Sequence, residues 1–149
     1  MHYFEYASAD ATIYEGTVTQ SQNTGLDEIL EIRKDTNNNA SVINVSRALI
    51  KFDLTYISES VHSGLMPSSS TDPKFYLNLY DANSSNLTTS QSLKGYPVSQ
   101  SWTMGEGKFY DDPKTTEGVS WRYRHGEADT TQWISGSNNT GGNWYSGSG

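Results

Sequence analysis

The chain has 149 residues, of which 10 are basic and 17 acidic, and it contains no cysteine. This length is typical of one domain, and the formal charge of −7 disfavours nucleic acid as a partner because an acidic surface repels phosphates. The lack of cysteine excludes disulfides, thiolate-zinc sites and cysteine nucleophiles, and no apolar run reaches the ~18 residues that a membrane-spanning helix needs.

The first two predicted strands lie in the N-terminal third of the chain. A short strand is expected at residues 11–15. At residues 26–34, Leu30 and Ile32 alternate with charged neighbours, which is typical of a strand, and residues 37–39 follow as a turn. The same segment could also form a helix lined by Leu26, Ile29, Leu30 and Arg33, but we favour the strand.

The clearest strand signal is the sequence VSRALIKFDL at residues 45–54. Strict alternation puts its residues on two faces, as a half-buried strand requires: Ala48, Ile50, Phe52 and Leu54 on one, and Arg47, Leu49, Lys51 and Asp53 on the other. Residues 75–81 alternate in the same way, with Phe75, Leu77 and Leu79 opposite Tyr76, Asn78 and Tyr80. A loop is expected between these strands, over residues 58–72.

Two further strands are expected at residues 96–102 and 119–124, with Val119, Trp121 and Tyr123 on a shared face. A long loop at 104–118 separates them, and loops of this length are often functional. The spacing predicts an all-β fold, namely a jelly-roll-like antiparallel β-sandwich with long loops. We assign residues 1–134 to this domain and the Gly/Ser/Asn-rich residues 135–149 to a C-terminal tail.

The sequence offers no recognisable catalytic centre. Its histidines, His2, His62 and His125, show no metal-ligand spacing, and the serine nucleophile motif G-x-S-x-G is missing. Glycosidases need two carboxylates facing each other across a cleft, whereas the acidic candidates all fall in the 104–118 loop: Glu106, Asp111, Asp112 and Glu117. We therefore predict a non-enzyme without cofactors, and leave open whether Asp111 and Asp112 help to bind a structural calcium ion.

Aromatic residues crowd the last third of the chain and supply the candidate ligand-binding residues. Aromatic faces stack on sugar rings, and nearby polar side chains fix the orientation of a bound glycan. Trp102 and Trp121 follow strand-like alternation and are expected in the core. The predicted ligand contacts lie in loop or tail positions or beside them: Tyr110, Asp111, Asp112, Arg122, Trp144 and Tyr145.

The order of these segments resembles a known family. Residues 9–16 (ADATIYEG), 46–54 (SRALIKFDL) and 75–80 (FYLNLY), followed by Trp102 and Trp121, are similar to the DNRLRE-type β-sandwich modules. The resemblance covers most of the chain up to about Trp133 and implies a sandwich of the kind found in bacterial surface proteins and phage structural proteins. Some relatives of these modules bind carbohydrate.

Two functions follow as expectations. The first is a non-catalytic phage virion protein, such as a head-decoration, tail or fibre-associated component, that forms homo-oligomers and docks on other virion proteins. The alternative is a carbohydrate-binding module that mediates attachment to surface polysaccharide. Both place the protein on a virion or outside a cell, with neither nucleic acid nor a membrane as partner.

Overall fold

The computed structural model of the chain describes residues 4–36, 42–66, 75–82 and 92–133. The chain divides into two compact units. The smaller unit consists of Met1–Tyr6 and Phe52–Leu93, and the larger unit consists of Ala7–Lys51 and Lys94–Gly149. In the described residues, no helix is long and apolar enough to span a bilayer. The predicted tail at 135–149 lies outside the described residues.

Three strands form an antiparallel sheet in the order β1-β3-β2. They are β1 (Ala7–Tyr14), β2 (Lys34–Thr36) and β3 (Val42–Phe52). Lys34 lies opposite Val45 and Asp35 opposite Asn44, and the register shifts between Asp35 and Thr36. The predicted all-β antiparallel class is confirmed, as are the strands at 11–15 and in the VSRALIKFDL segment, although β3 ends at Phe52 rather than Leu54.

The core of the larger unit lies against one face of β1 and β3. Buried Ala11 and Ile13 come from β1 and Leu49 from β3, and they pack with Trp102, Val119, Trp121 and Trp133 from the irregular C-terminal part. The prediction that Trp102 and Trp121 belong to the core is confirmed. The Trp133 indole also donates a hydrogen bond to the Ser120 carbonyl at 2.9 Å, so its polar edge is satisfied in the apolar cluster.

One cation takes part in this packing. The Arg47 guanidinium, on β3, lies 4.5 Å from the centroid of the Trp121 ring, within the range of a cation–π contact. Partial burial lowers the pKa of Arg47 to about 10, against the opposing influence of Glu15. Arg47 therefore stays protonated at neutral pH.

The strand predicted at residues 26–34 is wrong, because only Lys34–Thr36 pairs with the sheet. Neighbouring side chains take up two of the backbone amides in this segment. The Glu31 amide donates to Thr12 Oγ1 at 2.9 Å, and the Arg33 amide donates to Ser46 Oγ at 2.7 Å. Side-chain hydrogen bonds of this kind compete with a regular ladder, so the segment runs irregularly beside β3.

The loop predicted at residues 58–72 is also wrong in its first part, where α1 (Thr55–His62) forms. Asp53 Oδ1 accepts hydrogen bonds from the Thr55 amide and hydroxyl just before the helix, and the Ser63 amide donates to the Glu59 carbonyl at its end. Gly64 follows with φ +77°. Eight residues are too few to establish a helical hydrophobic period, which is why the pattern missed this helix.

Three other predicted strands are irregular in the structure. Residues 75–81 are exposed, and residues 96–102 form no strand. In the segment 119–124, backbone groups bond to loops instead of a ladder: Val119 to Thr103, Arg122 to Gln20 and Arg124 to Thr131. Val119, Trp121 and Tyr123, which were predicted on one face, are all buried, and so is Ser120 between them.

Candidate functional site

The loop at 104–118 is irregular, as predicted, and hydrogen bonds from the Asn23 side chain hold it in place. This side chain is fully buried, and its Nδ2 donates to the carbonyls of Met104 (2.6 Å) and Val119 (2.9 Å). Its Oδ1 accepts from the amides of Gly107 (2.8 Å) and Gly25 (3.2 Å). One amide group therefore satisfies backbone groups from both ends of the loop, which fixes where the loop leaves and rejoins the core.

The tip of this loop is a tight turn closed by Asp111. Its Oδ2 accepts hydrogen bonds from the Lys108 amide (2.7 Å) and the Thr115 hydroxyl (3.0 Å), and its own amide donates to the Lys108 carbonyl (3.2 Å). The bond from the Lys108 amide, supported by Thr115, lowers the pKa of the Asp111 carboxyl. Asp111 therefore holds the turn in shape.

A second segment, residues 22–28, binds the turn through hydrogen bonds and an ion pair. Gln22 Nε2 donates to the carbonyls of Lys108 (3.1 Å) and Phe109 (2.7 Å), and Asp27 Oδ1 accepts from the Phe109 amide (3.1 Å). The Lys108 ammonium meets the Glu28 carboxylate at 2.7 Å, which raises the pKa of Lys108 and lowers that of Glu28. The amide and the carbonyl of Phe109, the residue before Tyr110, are thus both held by side chains.

Tyr110 projects from this fixed backbone. Its side chain is 91% exposed, more than any other described aromatic residue of the larger unit. Beneath it, Phe109 meets Tyr110 edge-on with ring centroids 5.2 Å apart, and packs on Tyr14 at 4.9 Å. Burial and the hydrogen bond to Glu31 raise the pKa of Tyr14, so the hydroxyl that anchors this aromatic stack stays protonated. Tyr110 is therefore an exposed ring on a rigid base.

The other predicted site residues have different positions. Asp112, next to Tyr110, is exposed and precedes a cis proline, Pro113. Arg122 is exposed on a separate segment, where its amide donates to the Gln20 carbonyl. Trp144 and Tyr145 lie outside the described residues. The structure thus brings Tyr110, Asp111 and Asp112 into one turn, with Asp111 already engaged by the loop backbone.

Sequence reasoning missed the residues that support Tyr110. Gln22, Asn23 and Asp27 lie more than 80 positions before the loop that they hold. A short polar run such as QNTGLD carries no signal of such distant contacts. Phe109 was the one supporting residue with a usable signal, since it is an aromatic residue directly beside Tyr110.

The groups gathered at the Tyr110 turn can take part in recognition. Among the described residues, no three carboxylates, histidines or cysteines gather as a metal-binding group. The calcium site left open at Asp111 and Asp112 gains no further ligand there. The turn carries the exposed Tyr110 ring, the ion-paired Lys108 and the exposed Asp112, which supply a stacking surface and groups that can form hydrogen bonds.

The lowered pKa of Asp111 predicts how the turn responds to acid. A depressed carboxyl pKa means that the ionised form stabilises the folded turn above the ordinary value of 3.8, and that this contribution is lost as the pH falls below it. We expect amide exchange at Lys108 to accelerate below pH 4, relative to the exchange rate of an unfolded chain. Asp111→Ala, which removes the acceptor oxygen, should show fast exchange of that amide already at pH 6, whereas an equal protection factor in both proteins would contradict the assignment.

Comparison with known proteins gives one match. The family model described as carbohydrate-binding module family 96 matches residues 3–146, nearly the whole chain. No curated protein and no solved structure matches. The match supports a carbohydrate-binding β module, the broader part of the resemblance drawn from the sequence, and it does not single out the DNRLRE type or a phage origin.

Proposed function

This chain belongs to carbohydrate-binding module family 96, and we propose that it binds polysaccharide without cleaving it, with Tyr110 as the stacking surface for a sugar ring. The observation that carries the proposal is the 91% exposure of a tyrosine that directly follows Phe109, whose amide and carbonyl are both hydrogen-bonded to side chains. A single exposed aromatic ring is ordinary, but a ring whose preceding backbone is already held in place loses less conformational entropy when it binds a ligand, which favours a role in contact.

The surroundings of Tyr110 support the choice of a glycan. The apolar face of a sugar ring stacks on tyrosine, and its hydroxyl groups need both donors and acceptors at the edge of the contact. Lys108 supplies donors, and Glu28 and Asp112 supply acceptors, all without a buried cleft. Such an open platform suits one face of a long polymer better than a small molecule that must be enclosed.

Affinity electrophoresis tests the proposal. Native gels would contain a neutral β-glucan, a polyuronate or a polymer of N-acetylated amino sugars, and we expect at least one to retard the protein. Tyr110→Ala should weaken that retardation about tenfold or more, as for other central aromatic contacts. Tyr80→Ala is the matched control, because Tyr80 is 95% exposed but lies in the smaller unit. Equal retardation of the Tyr110 and Tyr80 variants would refute the assigned surface.

The absence of catalysis is part of the proposal. Members of carbohydrate-binding module families typically bind without turning over their ligand. Within the described residues, the Tyr110 turn offers no two carboxylates that face each other across a cleft. Release of reducing ends from any of the three polymers by the pure protein would overturn it.

Polysaccharides of the proposed kind occur outside cells, and we propose that the protein acts there. The predicted role as a homo-oligomeric virion component stays a prediction, since the family match favours the carbohydrate-binding alternative. Copurification with particles, and sedimentation of the pure chain as a multimer, would support the virion role. A monomer that never accompanies particles would count against it.

A further inference from the structure

We infer that Asp27, together with Gln22, is a positioning residue that holds Tyr110 in its ligand-binding orientation; this rests on the proposed function. Gln22 is buried and Asp27 is half-buried. Gln22 donates to the carbonyls of Lys108 and Phe109, and Asp27 accepts from the Phe109 amide. Together they bind the peptide groups on both sides of Phe109, the residue before Tyr110. Their contacts come from a segment more than 80 residues earlier in the chain, so they join the turn to a separate part of the larger unit.

The geometry separates these two residues from ordinary loop contacts. Gln22 is 1% exposed and directs one amide nitrogen at two successive carbonyls, those of Lys108 and Phe109. Asp27 accepts from the amide of the same Phe109. The backbone amide and carbonyl of Phe109 are therefore both hydrogen-bonded to side chains of the 22–27 segment. These bonds act on the backbone that leads into Tyr110.

This arrangement matters for binding because of conformational entropy. An exposed ring on a mobile turn must be ordered when a ligand binds, and that ordering lowers affinity. A ring whose backbone is already fixed avoids most of this loss. The contribution of Asp27 should therefore appear only when Tyr110 is present, and should depend on an acceptor oxygen rather than on negative charge.

Three variants of the full chain test this. Asp27→Ala removes the acceptor, Asp27→Asn retains an acceptor oxygen without the charge, and Asp129→Ala, the control, removes an exposed acidic side chain elsewhere in the larger unit. We expect the ¹⁵N order parameter of the Tyr110 amide to fall from ~0.85 to below ~0.6 in Asp27→Ala alone. Retardation by the three polymers of the electrophoresis panel should weaken about fivefold in the same variant, the effect of one hydrogen bond.

The outcomes distinguish the inference from the proposed function. In a Tyr110→Ala background, Asp27→Ala should weaken binding no further, which a general loss of stability would not produce. An unchanged order parameter in Asp27→Ala, or equal losses in Asp27→Asn and Asp27→Ala, would overturn the positioning role while leaving Tyr110 as the contact. Full binding by Tyr110→Ala would instead refute the proposed surface, and with it any effect of Asp27 on affinity.

Discussion

Asn23→Asp is expected to lower the free energy of unfolding by about 3 kcal/mol or more, although the two side chains have nearly the same shape. The substitution replaces the Nδ2 donor with an acceptor, so the buried carbonyls of Met104 and Val119 lose their partner. Each unsatisfied buried group costs about 1–3 kcal/mol, and the new carboxylate adds the cost of a buried charge. Urea denaturation followed by tryptophan fluorescence measures the loss, since three tryptophans report on the adjoining core.

The pH dependence of this variant identifies the cause. Protonation of the buried carboxyl restores one donor, and burial favours the neutral form, so the folded state takes up the proton more readily than the unfolded chain. The stability deficit should therefore shrink as the pH is lowered from 7 to 5. Asn78→Asp, at an exposed position, is the control and should change stability little at either pH. A deficit of Asn23→Asp below about 1 kcal/mol at pH 7 would contradict the central role of Asn23.

The sequence was most informative where local pattern and tertiary packing agree. The β3 segment forms a strand with a partner on each side, as predicted, although its buried apolar residue is Leu49, on the face predicted with the charged residues. The burial of Trp102 and Trp121 followed from the same pattern even though their segments form no regular strand. Burial of large aromatic residues depends on the whole core, and it is less sensitive than strand pairing to the exact path of the backbone.

The alternation of apolar and polar residues gave a wrong prediction where side chains take the hydrogen bonds that a strand ladder would use. Residues 26–33 alternate like a strand, yet Thr12 and Ser46 take the amides that a ladder would use. Their hydroxyls lie 19 and 13 positions away from these amides, and no short window of sequence contains both partners. The same limit explains why Tyr110 was recognised from its residue type and loop position while Gln22 and Asp27, which hold its backbone, were not.

The candidate site thus separates into a visible part and a hidden part. Tyr110 is the visible part, and its exposure would have little meaning on a mobile loop. The hidden part consists of hydrogen bonds from Asn23, Gln22 and Asp27, which connect the loop to the core. An open surface can select a polymer only when its contact points keep a fixed spacing, and this hidden part provides that spacing.

Gly118→Ala should be as damaging as the Asn23 substitution, because Gly118 closes the loop against the same side chain. Gly118 has φ +105°, a conformation that L residues rarely adopt. An added Cβ would lie 2.5 Å from the Gly105 Cα and 2.6 Å from Asn23 Nδ2, and the first of these is backbone that has no rotamer to change. We expect a loss of about 3 kcal/mol or more, measured by the same urea titration.

Two other glycines separate the causes of this loss. Gly95→Ala, with no atom within 4 Å of the added Cβ and no positive φ, should leave stability nearly unchanged. Gly64→Ala, at φ +77° and equally uncrowded, isolates the cost of backbone conformation, about 1 kcal/mol. If crowding against Gly105 and Asn23 decides the result, Gly118→Ala must exceed Gly64→Ala by a wide margin. Equal losses of stability in Gly118→Ala and Gly64→Ala would mean that the cost at Gly118 comes from backbone conformation alone. Crowding against Gly105 and Asn23 would then contribute nothing measurable.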